Sequence, residues 1–217
     1  MTIKEAIYFR HTVRKYLDKP LGPSVVENLN KRIQEANEKY GVQIKLVTND
    51  NGAIWGMMRM FVAKNVKNYL VLAGPDRPDL ETDLGFAGAD IALYAQTLGL
   101  NSWWIGETYR GRHVRQDGIV TKGVIIVGYG MEQGKPHKSK TIEAVSQYDG
   151  DAPEWFTEGV IAALCAPTAM NRQNFMITGK SRAVHIEYAE SRWSRIDLGI
   201  VKYHFEMGAG KENFNWI

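Results

Sequence analysis

A single cysteine, Cys165, stands in 217 residues, so the chain can form no internal disulfide and no cysteine-based metal cluster. The five histidines are scattered. None pairs with another at metal-ligand spacing and no HExxH occurs, which removes the usual zinc signatures. Long apolar runs are also missing: Gly123-Val124-Ile125-Ile126-Val127 is among the longest, far below the roughly 20 residues that span a bilayer. The N-terminal residues carry charges throughout and no apolar h-region, so no secretory signal is expected. An excess of one charge is lacking too. With 27 Lys+Arg against 24 Asp+Glu the net charge is +3, too mild for the broad basic face of a nucleic-acid binder. These absences predict a cytoplasmic protein with neither nucleic-acid nor membrane partners.

The content is that of a globular protein: 44% hydrophobic and 24% charged residues, enough chain for one compact domain or two small lobes sharing a core. Ten Tyr, seven Phe and six Trp would suit a site that stacks flat rings, although most aromatics serve the core first.

The pattern predicts a short helix from Thr2 to Phe9, with Thr2 as N-cap and Glu5 completing a capping box. Pro20 and Pro23 break the chain. Ser24 followed by Glu27 predicts the cap of a second helix running to about Lys39 and ended by Gly41. Gln43 to Thr48 alternates as a half-buried strand, residues 56–67 read as helical, and Asn68 to Ala73 reads as a second strand. Leu84, Ala87, Ile91, Ala95 and Leu98 then fall on one stripe of a long helix stopped by Gly99. Gly123 to Gly128 predicts a buried strand.

An internal echo follows. Asp83-Leu84-Gly85-Phe86 returns as Asp197-Leu198-Gly199-Ile200, each time after a strand and at the opening of a helix. The preceding order of helix, loop and strand over 24–48 also returns over 154–178. We read this as a duplication: a first repeat over 1–150 and a shorter second over 151–217, folded like a symmetric dimer. The paired long helices would cross where Gly85 and Gly199 let them approach. Strands alternating with helices predict an α+β or α/β sandwich.

Nucleotide fingerprints are absent. Gly128, Gly130 and Gly134 miss the GxGxxG spacing, the Lys135-Pro136-His137-Lys138 that follows cannot open an apolar helix, and no Walker-type loop occurs. Two basic clusters remain, Arg10-His11-Thr12-Val13-Arg14 and Lys135 to Lys140. Each by itself suits an exposed loop as well as a phosphate, whose charge of about −1.5 to −2 matches the forked donors of Arg. Between a predicted helix and strand, Ala166-Pro167-Thr168-Ala169-Met170-Asn171-Arg172-Gln173-Asn174-Phe175 offers small side chains and two amides. Such amides can donate and accept at the edge of a flat heterocycle. Cys165, within the apolar run before it, reads as a packing residue.

Taken in order, these segments resemble the FMN-dependent nitroreductase family. "RHTVRKY" is similar to its Arg-x-Ser/Thr-x-Arg/Lys-x-aromatic start, and "APTAMNRQNF" to its Ala-Pro-Ser-x-x-Asn-x-Gln-Pro-Trp loop. "DLGFAGADIALYAQTLGLNSWWIG" is similar to its central helix, and "GVIIVGYG" with "KSKTIEAV" to its closing strand and basic segment. Together they are distributed over residues 10–175 of the chain. The loop stands after the basic segment rather than early, and Asn174-Phe175 replaces Pro-Trp. That order resembles a single-chain branch in which two unequal repeats mimic the family's dimer.

The resemblance implies an α+β, nitroreductase-like sandwich, a central sheet flanked by helices, binding FMN noncovalently. It implies that Arg10, Thr12, Arg14, Lys138 and Lys140 hold the phosphate and that Ile105, Gly106 and Glu107 lie along the ring. Pro167, Thr168, Ala169, Asn171 and Gln173 would close the ring and ribityl edges from the second repeat, and Arg59 would face the pyrimidine edge. The implied activity is an oxidoreductase passing electrons from NAD(P)H through FMN to a nitroaromatic, quinone or similar acceptor, with no protein acid or base assigned. The alternatives are a flavin-fragmenting relative and an FMN-binding storage or sensing protein without turnover.

Overall fold

The computed structural model describes residues 1–54, 61–109 and 115–217. The chain opens with α1 (Ile3–Phe9), started by the predicted capping box. Thr2 Oγ1 accepts the Glu5 N–H, and the Glu5 carboxylate accepts the Thr2 N–H at 2.7 Å. The second helix, α2 (Pro23–Tyr40), begins one residue before the expected cap. Gly22 is its N-cap, without a side-chain cap bond, and Ser24 lies inside the first turn. Pro23 explains the shift, because its fixed φ suits the first helical position and its missing N–H would be unpaired there anyway. Gly41, at φ 60°, ends the helix as expected.

Strand β1 (Lys45–Val47) is shorter than the alternation predicts. Asn37 grips both backbone groups of Ile44 at 2.8 and 2.9 Å, so the residue before the strand bonds to α2 and not to the ladder. The helix expected over 56–67 falls partly outside the described residues, and residues 63–67 are not helical, with Lys64 bridging to Lys15. After β2 (Tyr69–Pro75) comes α3 (Leu80–Thr97), then β3 (Asn101–Ile105), β4 (Arg115–Gln116) and β5 (Ile119–Gly128). These strands form an antiparallel sheet in the order β1-β2-β5-β3, with β4 also on β5.

The remaining elements are β6 (Ser146–Tyr148), α4 (Glu154–Leu164), β7 (Phe175–Lys180), β8 (Ala183–Tyr188), α5 (Ser194–Ala209) and β9 (Asn215–Trp216). They make a second sheet, β6-β7-β8-β9, whose outer strands pair in parallel. The α+β sandwich expected from the sequence is what forms, with its strands distributed over two sheets.

Helix α3 is buried well beyond the expected stripe, with Gly88, Asp90, Ala92, Leu93 and Gln96 buried as well, the pattern of a helix packed on several sides. It packs against α5, and their meeting point is the repeated Asp-Leu-Gly. A Cβ on Gly85 would lie 2.1 Å from the Ile196 carbonyl oxygen, and one on Gly199 would lie 2.0 Å from that of Thr82. No side chain fits between these backbones. The two aspartates of the motif also do parallel work. Asp83 meets Arg77 at 2.6 Å, and Arg77 in turn donates to the Tyr40 carbonyl at the end of α2. Asp197 accepts the Ala169 N–H beyond the end of α4. A third tie joins α2, α3 and α5: buried Asp90 accepts from Arg32 at 2.6 Å and from the Tyr203 hydroxyl at 2.5 Å.

One core cluster lies between α2, α3 and the first sheet, and another gathers α4, α5, β7 and β8. Val13, Tyr16, Trp103, Ile105, Val124 and Ile126 belong to a third. Among the described residues no helix is long and apolar enough to cross a membrane.

Candidate functional site

Helix α1 ends at Arg10, whose N–H still bonds the Ala6 carbonyl at 2.8 Å while its own φ and ψ are extended. From there the chain runs beside the first sheet, with Thr12 bridging in parallel to Ser102 of β3 and the Val13 N–H donating to the Ser102 carbonyl. That entry angle turns the Arg10 side chain inward, where it is 3% exposed. Its Nε and Nη1 find no hydrogen-bond partner among the described residues. Burial pulls its pKa down to about 10, and the groups acting against that are Cys165 and Tyr16. A buried guanidinium with unmet donors and no carboxylate acting on it is a demand for an anion.

The second basic cluster closes on the first. Gly134, at φ 73°, lets the segment pass so near that a Cβ there would lie 2.8 Å from the His11 Cβ and 2.9 Å from the Thr12 carbonyl. His11 is half-buried, and its pKa is lowered by burial, by Arg10 and by His137. His137 Nε2 lies 2.9 Å from the Leu164 carbonyl and 3.2 Å from the Gln173 amide nitrogen.

The same segment seizes the loop after α4. Lys140 donates from its backbone N–H to Gln173 Oε1 at 2.8 Å and from Nζ to the Gln173 carbonyl at 2.9 Å. Asn171 Nδ2 donates to the Lys138 carbonyl at 2.7 Å. Inside the loop, Thr168 Oγ1 accepts the Gln173 N–H, and Gln173 Nε2 reaches the Leu164 carbonyl. Met170, Asn171 and Gln173 all hold positive φ, at 53°, 55° and 47°. For Met and Gln this conformation costs roughly 1 kcal/mol or more each, and it is held by the bonds just named.

Several predicted site residues therefore meet in space. At the junction of α1, the basic segment and the loop, Thr12 lies beside Gly134, the exposed Lys138 meets Asn171 through its backbone carbonyl, Lys140 bonds Gln173, Thr168 and Ala169 belong to the same loop with half-buried Pro167 at its start, and Arg10 acts with His137 on His11. Arg14 stands apart on the surface, its guanidinium carbon 5.4 Å from the Trp103 ring centre. It nonetheless acts with Arg10 on the charge of buried Tyr16. Lys140's ammonium is already held by the loop carbonyl. Arg59 lies outside the described residues.

Ile105, Gly106 and Glu107 form a second group, at the end of β3. Ile105 is buried, Gly106 is exposed, and Glu107 is half-buried. Each of the last two is met by the turn before α5. The Glu107 carboxylate pairs with Arg192 Nε at 2.5 Å, and a Cβ on Gly106 would lie 3.1 Å from both Cδ1 and Nε1 of Trp193.

Sequence reasoning missed three residues that the structure places among these. His137 lay inside a basic run already singled out. Asp197 lay inside the repeated motif, and its carboxyl is buried, with a pKa raised by desolvation to about 6 against the lowering effects of Ala169 N–H and the Tyr188 hydroxyl at 2.8 Å. Trp193 had no sequence signal, because nothing in its surroundings predicts a contact with Gly106.

Residues 2–209 match the family model described as "Putative TM nitroreductase". A solved "putative nitroreductase" from Thermotoga maritima MSB8 is 21% identical, covering 98% of this chain and 85% of its own, with a TM-score of 0.73. Another, from Desulfovibrio desulfuricans and in complex with FMN, is 14% identical over 70% of this chain and 98% of its own, at 0.54. A Parabacteroides distasonis protein described as NADH dehydrogenase/NAD(P)H nitroreductase is 20% identical over 66% of this chain and 95% of its own, at 0.51. No curated protein matches the sequence at a significant level.

Proposed function

The chain belongs to the nitroreductase family matched over residues 2–209, and from that premise we propose that it is an FMN-dependent oxidoreductase. It would pass electrons from NAD(P)H to a nitroaromatic, quinone or similar small acceptor. The observation that carries the reading is Arg10: a guanidinium 3% exposed with two nitrogens unpartnered among the described residues. A phosphomonoester meets that demand with anionic acceptors. The Desulfovibrio relative in complex with FMN supports the choice of ligand.

Bound FMN would supply the electron transfer itself, accepting a hydride equivalent and passing electrons on. The protein's part is binding and orientation. Arg10 would hold the phosphate by charge-assisted bonds, with Thr12, Arg14 and Lys138 around it. Lys140 would serve mainly to fix the loop, since its ammonium already bonds the Gln173 carbonyl. Ile105, Gly106 and Glu107 would lie along the ring. Pro167, Thr168, Ala169, Asn171 and Gln173 would cover the ring and ribityl edges, and Arg59 would face the pyrimidine.

We further read residues 1–150 and 151–217 as two unequal repeats that build this one site in cis. The parallel roles of Asp83 and Asp197 and the Gly85–Gly199 crossing support that reading. The purified protein, incubated with FMN and desalted, should retain flavin absorption at one equivalent per chain. NADH or NADPH under anaerobic conditions should bleach it, and a nitroaromatic should restore it. No retained flavin overturns the cofactor. Flavin that stays oxidised overturns the oxidoreductase and favours a carrier.

A further inference from the structure

We propose that Trp193 is the specificity-determining wall of the acceptor site, the side chain that selects small flat aromatic acceptors at the Gly106 end of the ring. This rests on the FMN reading above. Three observations converge on it. First, the pyrrole edge of the indole sits directly on Gly106, with Cδ1 and Nε1 both 3.1 Å from where a Cβ would stand. A Cβ at that position would push the indole back by a few tenths of an ångström. Second, Trp193 is only half-buried and Gly106 beside it is exposed, and a part-exposed aromatic side chain can stack or make an edge contact with another flat ring.

Third, the backbone that carries the indole is tied down. Trp193 is the N-cap residue of α5, and its carbonyl accepts the Asp197 N–H at 2.9 Å. Both oxygens of the Asp197 carboxylate lie 3.0–3.1 Å from the Ala169 N–H. Arg192, next in the chain, pairs with Glu107. The turn at 192–193 therefore bridges the two segments assigned to the ring, 105–107 and 167–173. It places the backbone that carries the indole between them. A wall so placed excludes bulky acceptors and grips small ones.

The test uses the full chain loaded with FMN. Binding of 4-nitrobenzoate to the oxidised protein is read from the flavin difference spectrum without any reductant, alongside FMN affinity and turnover with 4-nitrobenzoate and with the two-ring quinone menadione. Trp193→Ala should weaken 4-nitrobenzoate binding by about three- to tenfold, the scale of one lost aromatic pair. FMN affinity should stay within about twofold, because the phosphate contacts that set it are untouched. The preference for menadione over 4-nitrobenzoate should rise, and Trp193→Phe should restore most of the binding. Should Trp193→Ala fail to fold, Trp193→Leu keeps apolar bulk without the ring and carries the same expectation.

An unchanged acceptor preference with FMN still bound overturns the wall. So does tighter FMN binding in Trp193→Ala, which would put the indole in space belonging to the ring itself. Wild-type protein that takes up no FMN overturns the cofactor reading, and this inference with it.

Discussion

Replacing Arg10 by methionine separates a ligand-binding role from a structural one by the sign of its effect. The guanidinium is 3% exposed and its pKa is depressed from its ordinary value to about 10, chiefly by burial. That depression corresponds to about 3 kcal/mol. The folded-state value lies below the unfolded one, so the penalty is fully present below pH 10 and fades as pH rises toward the unfolded value. At neutral pH the flavin-free protein carries all of it. Methionine keeps most of the aliphatic stem and removes the charge, and exchanging a poorly paired buried charge for an apolar residue is often stabilising. Urea unfolding of flavin-free Arg10→Met should therefore show a gain on the order of 1–3 kcal/mol at pH 7. The same variant should bind FMN roughly tenfold to a hundredfold more weakly, the loss of charge-assisted bonds worth ~1.5–3 kcal/mol. In saturating FMN the stability order should reverse, because bound ligand stabilises the wild type more. A flavin-free variant less stable than wild type, with FMN affinity unchanged, would show that Arg10 holds the fold rather than a ligand.

Two other perturbations test the frame around the site. Gly199→Ala would put a Cβ 2.0 Å from the Thr82 carbonyl oxygen, so α3 and α5 must separate. Overpacking should cost ~1–3 kcal/mol beyond the ~1 kcal/mol that alanine gains over glycine in a helix, and a net stabilisation in urea unfolding would refute the close crossing. Asp197 has a folded-state pKa raised from 3.8 to about 6, so its contribution is fully present below about pH 4 and is lost as pH rises through 6. Relative to wild type, Asp197→Asn should thus gain about 2–3 kcal/mol between pH 4 and 7.5, and a difference that does not change with pH would contradict the buried, desolvated carboxyl.

Local features of the fold were legible because local chemistry decides them. The Thr2–Glu5 box, the Gly41 stop and the stripe through Leu84, Ala87, Ile91 and Ala95 depend on residues within a turn or two of one another. The repeated Asp-Leu-Gly was legible as a pattern, and glycine in an otherwise apolar helix already implied a close approach. The boundary errors also have local causes that were visible but misweighed: Pro23 takes the first helical position ahead of Ser24, and Asn37 withdraws Ile44 from the first strand.

The sequence by itself determined the capping box of α1, the Gly41 stop, the paired motif and the residue types able to hold an anionic, flat-ringed ligand. Tertiary structure alone decided which of those residues meet. It buried Arg10 with its Nε and Nη1 unpartnered among the described residues, left Arg14 on the surface beside Trp103, bound Lys140 to the loop at Gln173, and set Trp193 on Gly106 across 87 positions of chain. Charge and spacing along a chain cannot report these outcomes. Burial and donor satisfaction are properties of surroundings supplied by distant segments, and those surroundings exist only once α1, the basic segment and the loop after α4 have packed together.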